Sequence, residues 1–193
     1  PKLNLPNIRK ATLRSFSLYS SQSVITTDFP DGVFCLAGAN GLGKSTFLAA
    51  INYAITGIVA DSNRDFKSVE EYYRHSLEFS SDFFSGRITE NDREAAEVTL
   101  ELLVRNHLYR LTRGMFEPSQ LRSLEIYDTT ESAIGIKDFS DMTPGERHKE
   151  YTSFITKDTG LESFEQLTFL QHFVLTFDEK RHLLFWNAKV LEQ

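Results

Sequence analysis

Stretches of two-residue and of helical periodicity alternate along the chain, and their order outlines an α/β protein. Residues 8–19 (IRKATLRSFSLY) partly alternate apolar and polar positions, which predicts a strand. Residues 24–29 predict its hairpin partner, with a Pro30-Asp31-Gly32 turn closing it. Residues 33–37 (VFCLA) form a short apolar run of the kind buried on both faces of a sheet, which makes Cys35 a small interior hydrophobe. Over 46–56 apolar residues recur at helical spacing, and Gly57 is placed to stop the helix.

Residues 61–91 are polar with scattered aromatics and no clear period, which predicts an irregular insertion with room for one short helix. Three strand patterns follow, at 95–104, 107–115 and 121–127. Arg105-Asn106 makes a tight turn between the first two and Glu117-Pro118-Ser119 turns into the third, so an antiparallel meander is expected. Thr143-Pro144-Gly145-Glu146 spells a helix start: a threonine cap, proline in the first turn, and a glutamate that completes a capping box. That helix should run to about 158 and stop at Gly160; a second should begin near Ser163 with Phe164, Leu167 and Leu170 on one face. No repeat or linker divides the 193 residues.

Composition narrows the classes. No apolar run approaches the ~18 residues that span a bilayer, and there is no basic-then-apolar leader, so a cytoplasmic protein without membrane contact is expected. One cysteine excludes an internal disulfide and suits a reducing compartment. The net charge of −6 is uneven: residues 1–60 hold five basic and two acidic side chains (+3), which leaves −9 for the remainder. That is not the balance of a strongly basic nucleic-acid-binding domain, so any DNA must be held by a local patch or an assembly.

The candidate chemistry lies between the 33–37 run and the helix that follows. Gly38, Gly43, Lys44 and Ser45 match the phosphate-loop pattern G-x-x-x-x-G-K-[ST]. Glycines let consecutive backbone N–H groups wrap around phosphate oxygens, and the next helix turns its positive end toward the same anion. Lys44 would reach the β- and γ-phosphates, and the Ser45 hydroxyl would ligate magnesium. ATP and Mg2+ are the expected cofactors.

The segment GANGLGKSTFLAAINYAITG, preceded by a strand ending L-R-S-F, a D-G turn and a short apolar strand, resembles the N-terminal lobe of structural-maintenance-of-chromosomes (SMC) ATPases. Their double-strand-break-repair relatives of the SbcC type look similar. Asn40 before Gly41, the Ser45-Thr46 pair and the A-I-x-Y-A-[IL]-x-G helix carry the likeness, which is dense over 8–57, loose over 94–128 and suggestive over 143–186. It implies a P-loop NTPase lobe of the ABC class, with a mixed sheet and an antiparallel subsheet. Asn40, Gly41, Gly43, Lys44, Ser45 and Thr46 are then nucleotide contacts, Lys44 is catalytic, and Gln171 is a catalytic glutamine that shares magnesium with Ser45. The implied partners are a second head, as a homodimer, the protein's own C-terminal lobe beyond a coiled coil, DNA, and a nuclease or accessory subunit. F-D-E-x-R-x-L-L-x-W at 177–186 is similar to SMC-like ATPases of bacterial defence systems.

Some signals depart from that pattern. Relatives often carry a basic residue where Ser17 stands, and Arg14 lies on the other side of Phe16. No S-G-G signature is present. Residues 173–179 (FVLTFDE) admit two readings: an apolar strand whose Asp178 holds magnesium through water while Glu179 acts as general base, or a continuation of the helix begun near 163. Arg110 and Arg113 are a candidate basic pair, with a solvated strand face as the plainer alternative. The five histidines show no metal-ligand spacing. Rival functions are an ATPase of the overcoming-lysogenization-defect type joined to a nuclease, and a nucleotide-gated scaffold with little turnover.

Overall fold

A computed structural model describes residues 2–19, 24–31, 35–37, 43–61, 67–130 and 134–172. The strands are β1 (Asn7–Arg14), β2 (Val24–Asp28), β3 (Glu97–Val104), β4 (His107–Gly114), β5 (Ser123–Asp128) and β6 (Ile134–Gly135); the helices are α1 (Lys44–Thr56), α2 (Val69–Ser85), α3 (Pro144–Thr159) and α4 (Phe164–Leu170). The sheet runs β2-β1-β3-β4-β5-β6, and every pairing among the described residues is antiparallel. The hairpin and the meander are therefore where the pattern put them. The parallel strands that a mixed sheet requires are not among the described residues.

Alternation sorts the sheet into two faces. Ala11, Leu13, Val98, Leu100, Leu102, Val104, Tyr109, Leu111, Leu124 and Ile126 are buried on the inner face, in one core with α1, α3 and α4. On the outer face the register assembles polar rows. Asp28, Lys10, Glu101, Arg110 and Glu125 lie side by side across five strands, alternating in sign. Next to them Thr26, Thr12, Thr99, Thr112 and Ser123 form a row of hydroxyls, with Thr12–Thr26 at 3.1 Å and Thr99–Thr112 at 2.9 Å.

Helix ends follow from local chemistry. Thr143 and Glu146 form the expected capping box at α3, and Ser163 caps α4. The 61–91 segment departs from expectation, because 17 of its residues form α2, capped by Ser68 with Glu70 and Glu71 in the first turn. Its buried stripe is Tyr72, Ser76, Ser80 and Phe84, spaced by four. Two of those four positions are serines, so the apolar signal is halved although the helical face is intact.

The run 33–37 also departs. Cys35 is exposed and Leu36 is 48% exposed, while 33 and 34 lie outside the described residues. Burial on both faces needs strands on both edges and a layer on each side. Among the described residues no strand pairs with 35–37, and the helices cover the inner face of an antiparallel sheet instead.

Candidate phosphate-binding site

Helix α1 begins unlike the others. Its cap is Gly43, with φ 80° and ψ 13°, a left-handed conformation that side-chain-bearing residues avoid. Gly43 offers no side-chain cap and the first turn holds no acid, whereas α2, α3 and α4 each have a Ser or Thr cap and a glutamate in the first turn. The first helical position is instead Lys44, a cation at the positive end of the helix dipole. By the rules that stabilise helices a lysine in the first turn is unfavourable, and a glycine cap brings no side-chain oxygen. A bound anion would offset both.

The first helical bond runs from the Phe47 N–H to the Gly43 carbonyl at 2.9 Å. Lys44 is half-buried, Ser45 exposed and Thr46 buried. Asn40 and Gly41, with the rest of 38–42, lie outside the described residues, and so do Asp178 and Glu179.

The far end of α1 is fastened to the core. Gly57 ends it at φ 77°, its N–H bonding to the Tyr53 carbonyl at 2.7 Å. The Tyr151 hydroxyl donates to the Ile55 carbonyl at 2.7 Å, and Arg113 Nε donates to that of Ala54 at 3.3 Å. Tyr53 in turn donates to the Gly114 carbonyl at 2.8 Å. Burial holds the hydroxyls of Tyr53 and Tyr151 above the ordinary range, so both remain donors.

Gln171 follows α4 and is buried, its Nε2 donating to Asn52 Oδ1 on α1 at 2.9 Å. Asn52 lies eight residues beyond Lys44, about 12 Å along the helix at ~1.5 Å per residue. The next residue, His172, places Nε2 3.0 Å from the Thr56 hydroxyl one turn further on. Gln171 and His172 thus lie along the same helix that carries Lys44.

Arg110 and Arg113 are not a pair. Three residues apart on a strand, they face opposite ways. Arg110 lies in the outer row, bonded to Glu101 at 2.9 Å and Glu125 at 3.2 Å. Arg113 is fully buried, in phase with Tyr109 and Leu111, and that parity was the signal available in the sequence. Arg14 pairs with Glu97 at 3.3 Å on the outer face, and Ser17 is held by Thr89 and Asp92.

Among the described residues no cluster of three or more His, Cys, Asp or Glu is placed to hold a metal ion, and no helix is long and apolar enough to cross a membrane. A groove of about 270 Å³ beside β5 is lined in part by Arg122, Lys137 and Arg147. Arg122 and Lys137 pair there with glutamates, and Arg147 binds backbone carbonyls, so the groove presents no open cation to an anion.

The family model of the AAA domain matches residues 10–185. No curated protein matches the chain at a significant level.

Proposed function

The chain belongs to the AAA domain family of P-loop ATPases, and we propose that it binds Mg-ATP at the start of α1 and works as one lobe of an SMC-like head that closes on a second head. The observation that carries this reading is the start of α1: an acid-free first turn with Gly43 left-handed at the cap and Lys44 at the first position, inside the matched segment. The donor set fits a nucleotide. An ammonium and backbone amides suit phosphate oxygens, and the Ser45 hydroxyl suits a hard cation. When bound, the magnesium ion would neutralise charge that develops on the phosphates.

On this reading Lys44 holds the β- and γ-phosphates, Asn40, Gly41, Gly43 and Thr46 line the loop, Ser45 is a magnesium contact, and Gln171 joins it only on leaving Asn52, which lies about 10 Å beyond Ser45 along α1. Hydrolysis would release the γ-phosphate contacts between heads and let them part. DNA is the proposed partner of the closed pair, attracted by Lys and Arg clusters that closure brings together. Such binding would fall steeply with salt.

Titration calorimetry with ATP on the full protein tests the assignment. Lys44→Ala should weaken binding by about 1.5–3 kcal/mol, the cost of a lost charge-assisted contact. Equal affinity in the two proteins would remove the site from α1.

A further inference from the structure

Arg113 presents a physical puzzle. It is 0% exposed, yet no carboxylate pairs with it among the described residues. A guanidinium buried without a counter-charge is expensive, and methionine would fill the space without that cost. Its Nη2 has no hydrogen-bond partner at all.

The remaining donors explain where the charge is directed. Nε reaches the Ala54 carbonyl in the last turn of α1 at 3.3 Å. Nη1 donates to the carbonyl of Pro118 and, at 3.2 Å, to that of Gln120. His148 Nδ1 lies 3.3 Å from the same nitrogen and must accept. Burial and the adjacent guanidinium hold His148 down to about 3, so it is neutral and able to accept. Gly57 keeps the space clear, because a Cβ there would stand 2.3 Å from the Pro118 oxygen. A full positive charge is thereby fixed at the negative end of α1, surrounded by carbonyls.

We infer that Arg113 is a positioning residue for nucleotide binding: a buried cation that anchors the rear of α1 to β4 and α3, and so fixes where Lys44 and the helix start meet the phosphates. The inference rests on the nucleotide-binding reading. Tyr151, through the Ile55 carbonyl, is the second point of the same anchor. Two bonds at adjacent carbonyls hold both the axis and the rotation of the helix. Slack at this end becomes displacement of Lys44 at the other.

The experiment measures ATP dissociation constants for the full protein with Arg113→Met, Arg113→Lys and Tyr151→Phe, using Ile126→Ala as a core variant of matched thermal destabilisation. All are measured well below their melting temperatures. Arg113→Met should raise the constant at least tenfold and Tyr151→Phe severalfold, while Ile126→Ala stays within twofold. Arg113→Lys supplies a readout that loss of packing alone would not give. A buried ammonium loses its proton as pH rises, whereas a guanidinium does not. ATP affinity of Arg113→Lys should therefore match the wild type within a few-fold at pH 7 and drop toward that of Arg113→Met by pH 9, with the wild type flat over that range. Should Arg113→Met fail to fold, Tyr151→Phe and the pH profile of Arg113→Lys decide the matter. A profile parallel to the wild type, or losses no larger than in Ile126→Ala, would overturn the inference. A wild type that binds no ATP would overturn the reading on which it rests, which is a different result from a wild type that binds and anchor variants that bind equally well.

Discussion

His148 Nδ1 and Arg113 Nη1 lie 3.3 Å apart in the core, an imidazole kept neutral beside a permanent cation. This contact joins α3 to β4 through charge state as well as through packing.

Stability should depend on the proton that His148 refuses. Its folded value is about 3 against 6.5 in the unfolded chain, so between those values the unfolded state binds the extra proton. The contribution is complete above about pH 6.5 and is lost as pH falls toward 3, at no more than about 1.4 kcal/mol per pH unit. Urea melts at pH 7 and pH 5 should show the wild type losing about 2 kcal/mol more than His148→Gln, which keeps an acceptor without the titration. Equal losses would mean that His148 is not the group responsible.

Two serines one turn apart on α2 should respond with opposite sign. Ser80 Oγ accepts from the Val59 N–H at 2.7 Å and donates to the Ser76 carbonyl at 2.5 Å. Ser76 Oγ is buried without a partner. Ser80→Ala strands an amide and should cost about 1–3 kcal/mol, whereas Ser76→Ala should be neutral or stabilising by up to about 1 kcal/mol. Thermal melts of the two variants decide it, and equal destabilisation would count against these bonds.

Gly57→Ala should destabilise by more than about 2 kcal/mol. The left-handed conformation alone costs about 1–2 kcal/mol, and the added methyl must also displace the Pro118 carbonyl that Arg113 holds. A loss below about 1 kcal/mol in denaturant melts would show that the loop yields easily.

Gln171→Ala should slow ATP turnover far more than it weakens ATP binding, since the proposed role belongs to the transition state. Asn52→Ala, which removes an acceptor of the buried Gln171 amide, should cost about 1–3 kcal/mol in stability, so its turnover is compared with that of Gln171→Ala well below both melting temperatures. If Glu179→Gln instead traps ATP-bound protein and Gln171→Ala turns over normally, the strand reading of 173–179 is the correct one.

The meander, its tight turn, the capping box and the glycine stops were legible because each depends on a few adjacent residues whose chemistry admits one geometry. Three features were not. The face of α2 is half serine, so hydrophobic spacing understates it. The exposure of Cys35 and Leu36 depends on which strands and layers surround them, a non-local fact. Arg113 looks like a surface cation in any list of charges, and only its parity with Tyr109 and Leu111 places it inside. At the candidate site the motif gave Gly43, Lys44 and Ser45, while the anchoring of the helix by Arg113, Tyr151 and Gly57 required tertiary contacts to be seen.

The outer face of the sheet has a bearing on any polyanion that approaches it. Its charges reverse sign from one strand to the next, about every 4.8 Å, through Asp28, Lys10, Glu101, Arg110 and Glu125. The potential of such a striped lattice dies away within about one strand spacing, a shorter distance than the ~8 Å over which physiological salt screens a single charge. One strand spacing above the surface, the face has a texture but almost no sign. A phosphate backbone drifting across it would find nothing to follow, so productive encounters must be steered from the rims of the sheet and the helix ends rather than from its broad flat side.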